Sequence, residues 1–254
     1  MPIVAETYYF AHNGGGGDRP PVVLIHGAGG TYLNWPSKVR RLPGYRTFAI
    51  DLPGHGKSAG HGLQSIAAYA EAVLAWLDAV DLHRAVFIGH SMGGAIVQTL
   101  ALHSKDHVLG LGLVGTGARL RVHPEILQNT VSENTYRTAV DTIVEWAFSP
   151  QTPPNLVDLA SQRMVATRPS VLHGDFIASD AFDIMDQITG INQPTLVICG
   201  ADDQLTPVRN SQFLADQIPN AKLEVIHDAG HMVMLEKPQQ VADALIAFLD
   251  EISF

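Results

Sequence analysis

The sequence predicts an α/β fold, a mostly parallel sheet with helices on both faces, interrupted by an inserted helical stretch. Two observations carry this reading. Short apolar, β-branched runs alternate with stretches of helical period, and these runs lack the in-out polarity of a half-solvated sheet. The alternation stops near Gly117 and resumes at Pro194, with no clear strand between. The expected core therefore comprises residues 1–117 and 191–254, with residues 118–190 as the helical insertion. A chain of 254 residues buries a large core within one such domain.

Taken in order, Thr7-Tyr8-Tyr9-Phe10 is the first strand candidate. The glycine loop at 14–17 runs into Asp18-Arg19-Pro20-Pro21 with no helix behind it, so it reads as a hairpin loop and not a phosphate cradle. Val22-Val23-Leu24-Ile25 has the continuous apolar character of a doubly covered strand. Residues 35–41 suggest a short helix and 47–50 another strand. Residues 64–80 form a helix with Ser65 near its cap and Ile66, Tyr69, Val73, Leu74 and Leu77 on one face. Val86-Phe87-Ile88 leads through Gly89 to a helix over 95–102, and 108–114 is a further strand. Within the insertion, Tyr136, Val140, Ile143, Val144 and Ala147 share one helical stripe. After Pro194 come a strand at 195–199, a helix opened by Pro207 behind a capping Thr206, and a strand at 223–226. A closing helix presents Val241, Leu245, Phe248 and Leu249.

Composition narrows the function classes. A net charge of −9, spread without a tail, argues against nucleic acid or an anionic membrane as partner. The single Cys199 lies in an apolar run and reads as an inert buried thiol, with no internal disulfide available. The first residues lack a basic segment followed by an apolar core, and no apolar run reaches membrane-spanning length; a cytoplasmic protein is expected.

The chemistry centres on Gly89-His90-Ser91-Met92-Gly93-Gly94. A serine between glycines at a strand-to-helix corner fits the nucleophile elbow, where the turn is so tight that only small neighbours fit. A serine hydroxyl needs a base, and the base an orienting acid. His231 follows a strand end within Asp228-Ala229-Gly230-His231, and Asp202 and Asp203 follow the preceding strand. Neighbouring side chains of an extended segment point oppositely, so one of the two acids meets His231. His227 and His231 have a zinc-like spacing, but a strand end does not put both rings on one face; no metal and no cofactor are expected. His26 and His55 read as loop-holding residues and Asp51 as a turn-former.

These motifs, with His26-Gly27-Ala28-Gly29-Gly30, Asp51-Leu52-Pro53-Gly54-His55-Gly56-Lys57-Ser58 and Glu236-Lys237-Pro238, resemble the α/β-hydrolase superfamily over essentially the whole chain. The resemblance implies a carboxylesterase-like serine hydrolase with residues 118–190 as a helical cap. It implies Ser91, Asp203 and His231 as catalytic triad, because the family acid stands four residues before the helix-opening proline. It implies an oxyanion hole from the amides of Ala28 (or Gly29) and Met92. The N-terminus departs from the family in being short for its leading strand pair, so an edge strand is expected to be missing.

The expected reaction is hydrolysis of a carboxylic ester through an acyl-enzyme, with water as acyl acceptor. Lactones fit the same machinery. Carbon–carbon hydrolases of the superfamily often carry tryptophan after the histidine, where this chain has Met232. A slowly turning-over ligand receptor is the non-enzyme alternative. Gly29, Trp146, Phe148, Phe176 and Met232 are the candidate pocket residues, beside Met164 and Met185, and the protein is expected to be a monomer or homodimer.

Overall fold

The computed structural model describes residues 3–15, 17 and 19–252. The chain forms β1 (Ile3–Val4), β2 (Thr7–Asn13), β3 (Val22–Ile25), α1 (Ser37–Arg40), β4 (Arg46–Asp51), α2 (Ile66–Ala79), β5 (Ala85–His90), α3 (Met92–His103) and β6 (Val108–Val114). The insertion supplies α4 (Pro124–Thr130), α5 (Glu133–Ala147), α6 (Pro154–Val165) and α7 (Pro169–Asp180). The chain then returns to β7 (Thr195–Gly200), α8 (Val208–Gln217), β8 (Ala221–Ile226), α9 (Val233–Glu236) and α10 (Pro238–Glu251). Among the described residues these strands make one eight-stranded sheet, ordered β1-β2-β4-β3-β5-β6-β7-β8 and parallel from β4 onward.

Alternate residues of the central strands serve two separate cores. Val23 and Ile25 pack with α2, α3 and α8, whereas Val22 and Leu24 pack with α1, α5 and α10. Both sets are fully buried, which is why the strands read as unbroken apolar runs. Edge strand β8 alternates in exposure instead, with Lys222 and Glu224 outward, a usual protection of a sheet edge. No helix among the described residues is long and apolar enough to cross a membrane.

The structure corrects several expectations. The leading strand pair is present: β1 and β2 pair antiparallel across Ala5 and Glu6, both at positive φ (47° and 62°). A two-residue turn of that hand closes a hairpin with very few residues, too few for periodicity to reveal. The glycine loop is not a hairpin connection, because β4 lies between β2 and β3. Gly14 instead holds the chain near Tyr45, donating to its carbonyl at 3.0 Å; Gly16 and Asp18 of that loop lie outside the described residues. The helix expected over 35–41 is shorter, with buried Trp35 between a 3-10 turn (Tyr32–Asn34) and α1. In α2, Ser65 caps as expected by accepting from Ala68 N–H, but Trp76 is buried where Leu74 stays partly exposed. Pro207 precedes α8, and the Thr206 hydroxyl does not cap it.

The central corner of the sheet is closed by backbone packing. A Cβ on Gly89 would lie 2.2 Å from the Gly93 carbonyl oxygen, and one on Gly93 2.4 Å from that of Ile25. At Gly94 the neighbour is the Thr116 side chain at 2.6 Å. A side chain can turn aside and a strand carbonyl cannot. Gly89→Ala is therefore expected to destabilise by about 3 kcal/mol or to prevent folding, and Gly94→Ala by less. Urea unfolding of the two variants checks this; equal midpoints would contradict it.

Candidate active site

Ser91 occupies the corner between β5 and α3 with φ 53° and ψ −117°. That conformation costs a non-glycine residue roughly 1–3 kcal/mol, and hydrogen bonds to its backbone hold it. Ser91 N–H donates to the Val114 carbonyl (2.9 Å), and its own carbonyl accepts from Gly94 N–H and the Thr116 hydroxyl (2.8 Å each). The Ser91 side chain makes no cap bond to α3. It faces a cavity of about 550 Å³, shared with Ala28 and His231, within the size range of small-molecule sites.

His231 follows β8 in a loop clamped by its neighbours. Met232 N–H donates to the Ala147 carbonyl (3.1 Å) and Gly230 N–H to Glu236 Oε1 (2.9 Å). Glu236 Oε2 accepts from Ser149 N–H (2.9 Å), so one carboxylate joins this loop to the end of α5. His231 Nδ1 stands 2.9 Å from Asp203 Oδ2. A carboxylate only accepts, so Nδ1 carries the proton and Nε2 is left as the basic nitrogen.

Asp203 is buried and saturated with donors. Its Oδ1 accepts from the N–H groups of Leu205 (2.9 Å) and Thr206 (2.8 Å), and its Oδ2 from the Thr206 hydroxyl (2.8 Å). Burial pushes this carboxyl up, but the His231 charge and bond and the Thr206 donors together hold it below the usual carboxylate range. Asp202 turns away and accepts from the Ser149 hydroxyl at 2.6 Å. Among the described residues no hydrogen bond joins Ser91 to His231; such contacts often tighten only when substrate binds.

Residue 90 of the elbow was not singled out from sequence. His90 Nε2 donates to the His231 carbonyl at 3.0 Å, and the two rings lie 4.7 Å apart. Burial, then the His231 charge, lowers the His90 pKa to about 3, so this ring is neutral and supports the loop.

The loop after β3 presents two amides in different situations. Gly29 N–H donates to Asp175 Oδ2 at 2.8 Å and is thereby committed. Ala28 N–H and Met92 N–H have no protein acceptor among the described residues. His26 holds the loop, with Nδ1 donating to the Gly27 carbonyl (2.8 Å) and Nε2 accepting from Leu52 N–H (3.0 Å).

Asp175 reaches from α7 into the core, fully buried. It also accepts from His55 Nε2 at 2.7 Å and from the Tyr69 hydroxyl at 2.5 Å. His55 Nδ1 faces the Pro53 carbonyl (3.1 Å), so both ring nitrogens donate and the ring is an imidazolium. Burial opposes that charge, yet Asp175 and Pro53 outweigh it and raise the His55 pKa. No pattern in the sequence marks Asp175, which lies 146 positions from Gly29.

Of the expected pocket residues, Trp146 and Phe176 line the Ser91 cavity. Gly29, Phe148, Met164 and Met232 instead border a separate hollow of about 30 Å³, and Met185 packs against the core. His227 is exposed and His231 buried, so the two share no site. Among the described residues no cluster of His, Cys, Asp and Glu could hold a metal ion.

Comparison with known proteins follows this geometry. A family model described as the alpha/beta hydrolase fold matches residues 20–238. The chain is 31% identical, over 92% of its length, to the dihydrolipoyllysine-residue acetyltransferase component of the acetoin cleaving system of Pseudomonas putida, of which it spans only 65%. A solved thermophilic esterase is 35% identical, with TM-score 0.81 and coverage of 96% of this chain and 98% of that one. The enol-lactonase of Burkholderia xenovorans LB400 is 25% identical, with TM-score 0.89 and 96% coverage of both chains.

The His55–Asp175 pair makes stability depend on pH. A histidine whose folded pKa is raised adds stability that is complete below its unfolded value, about 6.5, and is lost as pH rises through the folded value. Asp175→Asn is expected to cost about 3 kcal/mol near pH 6. That difference from the wild-type chain should shrink toward pH 9, the direction the raised pKa requires. Urea unfolding of both proteins across this range measures it, and a constant difference would count against the pair.

Proposed function

Because the chain belongs to the α/β-hydrolase fold family, we propose that it is a serine hydrolase that cleaves carboxylic esters through an acyl-enzyme. The observation that carries this is the 2.9 Å Asp203–His231 contact opening onto the same cavity as the strained Ser91. Ser91 Oγ attacks the substrate carbonyl carbon and His231 Nε2 takes its proton. Asp203 keeps Nδ1 protonated and stabilises the imidazolium that forms. The N–H groups of Ala28 and Met92, both without protein acceptors among the described residues, bind the oxygen as it becomes negative. Collapse expels the alcohol, protonated by His231, and leaves the Ser91 acyl ester. Water then repeats the cycle and releases the acid.

Residues 118–190 act as the cap, with Trp146 and Phe176 as pocket walls. Asp175 is a positioning residue: it occupies the Gly29 amide, which favours Ala28 as the oxyanion donor. A lactone is the second reading, favoured by the likeness to the enol-lactonase, since ring opening uses the same steps. A slow-turnover receptor would release less than one product per site, which a single-turnover assay with a chromogenic ester detects.

Ser91→Ala is expected to abolish labelling by a fluorophosphonate and to lower kcat on the order of 10⁶-fold with the fold intact. Stoichiometric labelling of the variant would refute the assignment. Asp203→Asn should lower kcat by about 10⁴-fold through the wrong imidazole tautomer. Asp202→Asn should cost about tenfold or less. Measuring both amides under one condition decides the acid, and the reverse order moves it to Asp202.

A further inference from the structure

The cavity that holds Ser91 and His231 has a second chemical character. Three arginines, all exposed, are among its lining residues: Arg119 and Arg121 on the segment leaving β6, and Arg209 in the first turn of α8. No aspartate or glutamate lines it among the described residues, although acids outnumber bases by 25 to 16 in the chain. Three carboxylates of the surrounding elements are committed elsewhere. Asp203 serves His231, Asp175 serves His55, and Asp180 Oδ1 accepts from Val122 N–H at 3.0 Å. Asp183 answers both Arg119 (3.8 Å) and Arg121 (3.2 Å), and Arg121 Nη1 also donates to the Asp180 carbonyl at 2.8 Å, which leaves Arg209 as the one of the three with no such bond among the described residues.

Arg209 has no partner among the described residues. It also sits at the end of α8 where the helix dipole disfavours a cation. The helix gains nothing from an arginine there, and its exposed guanidinium is left available to a ligand in the cavity. A guanidinium supplies paired donors in the plane that a carboxylate matches.

We propose that this wall is a carboxylate subsite, and that the substrates are esters or lactones bearing a carboxylate remote from the scissile carbonyl. The reacting end rests on the serine-hydrolase reading; the subsite does not. Arg209 binds the remote carboxylate directly, with Arg119 and Arg121 adding positive potential at the same wall.

The test pairs isosteric substrates. On the acyl side these are p-nitrophenyl hydrogen glutarate and p-nitrophenyl pentanoate; on the alcohol side, 4-acetoxybutanoate and butyl acetate. The charged member of at least one pair is expected to have kcat/KM about tenfold higher at about 50 mM salt, and the ratio should fall toward one at about 500 mM. Arg209→Gln should reduce the same ratio by about tenfold, mainly through KM. Ratios near one in both pairs, or a preference that Arg209→Gln leaves intact, overturn the subsite. Calorimetric titration with glutarate separates the two layers of argument. Binding lost in Arg209→Gln, with no ester hydrolysed, upholds the subsite and removes the hydrolase reading. Hydrolysis of neutral esters with no glutarate binding and no charge preference does the opposite.

Discussion

The left-handed backbone of Ser91 is the constraint on which the rest of the structure depends. A serine at φ 53° is unfavourable by itself, so everything around it must leave no alternative. Gly89 and Gly93 bring two backbones within contact distance, β6 supplies the Val114 carbonyl, and Thr116 ties the Ser91 carbonyl. The parallel order β3-β5-β6-β7 then sets the neighbouring loops on the same carboxyl edge. Asp203, His231 and the amides of Ala28 and Met92 meet there because their strands end there.

A second layer of organisation comes from buried charge. Asp175 spans from the inserted helices to the core and gathers Gly29, His55 and Tyr69 on two oxygens. A carboxylate removed from water in this way requires such partners, since an unpaired one would cost several kcal/mol. The same contact decides which amide beside Ser91 stays free. Packing of the insertion and the hydrogen bonding of the loop after β3 are therefore one arrangement.

Much of this was legible because short-range rules carried it. The β-branched runs, the glycines flanking Ser91 and the paired acids after a strand each reflect a local steric or periodic requirement. Alternation along an extended segment separated Asp202 from Asp203, and the structure gives them different partners, Ser149 and His231. The illegible parts all depend on distant packing. Which of the Ala28 and Gly29 amides is already engaged turns on Asp175, 146 positions from Gly29. The guanidinium wall exists only because α8 packs near the segment leaving β6. Phe148 and Met232 are apolar residues near the right loops, yet they border a different hollow. The Ile3–Val4 strand was missed because two residues have no period.

A Cβ on Gly200 would lie 2.2 Å from the carbonyl oxygens of both Ala229 and Gly230. The segments bearing Asp203 and His231 thus touch backbone to backbone, with no side chain between them to trim or enlarge. An insertion in either loop at that seam would part Asp203 from His231. The arginine wall has no such seal, since it is built from exposed side chains on α8 and on the connection into the insertion. Substitutions along that wall can therefore reshape the cavity while Ser91, Asp203 and His231 stay in register.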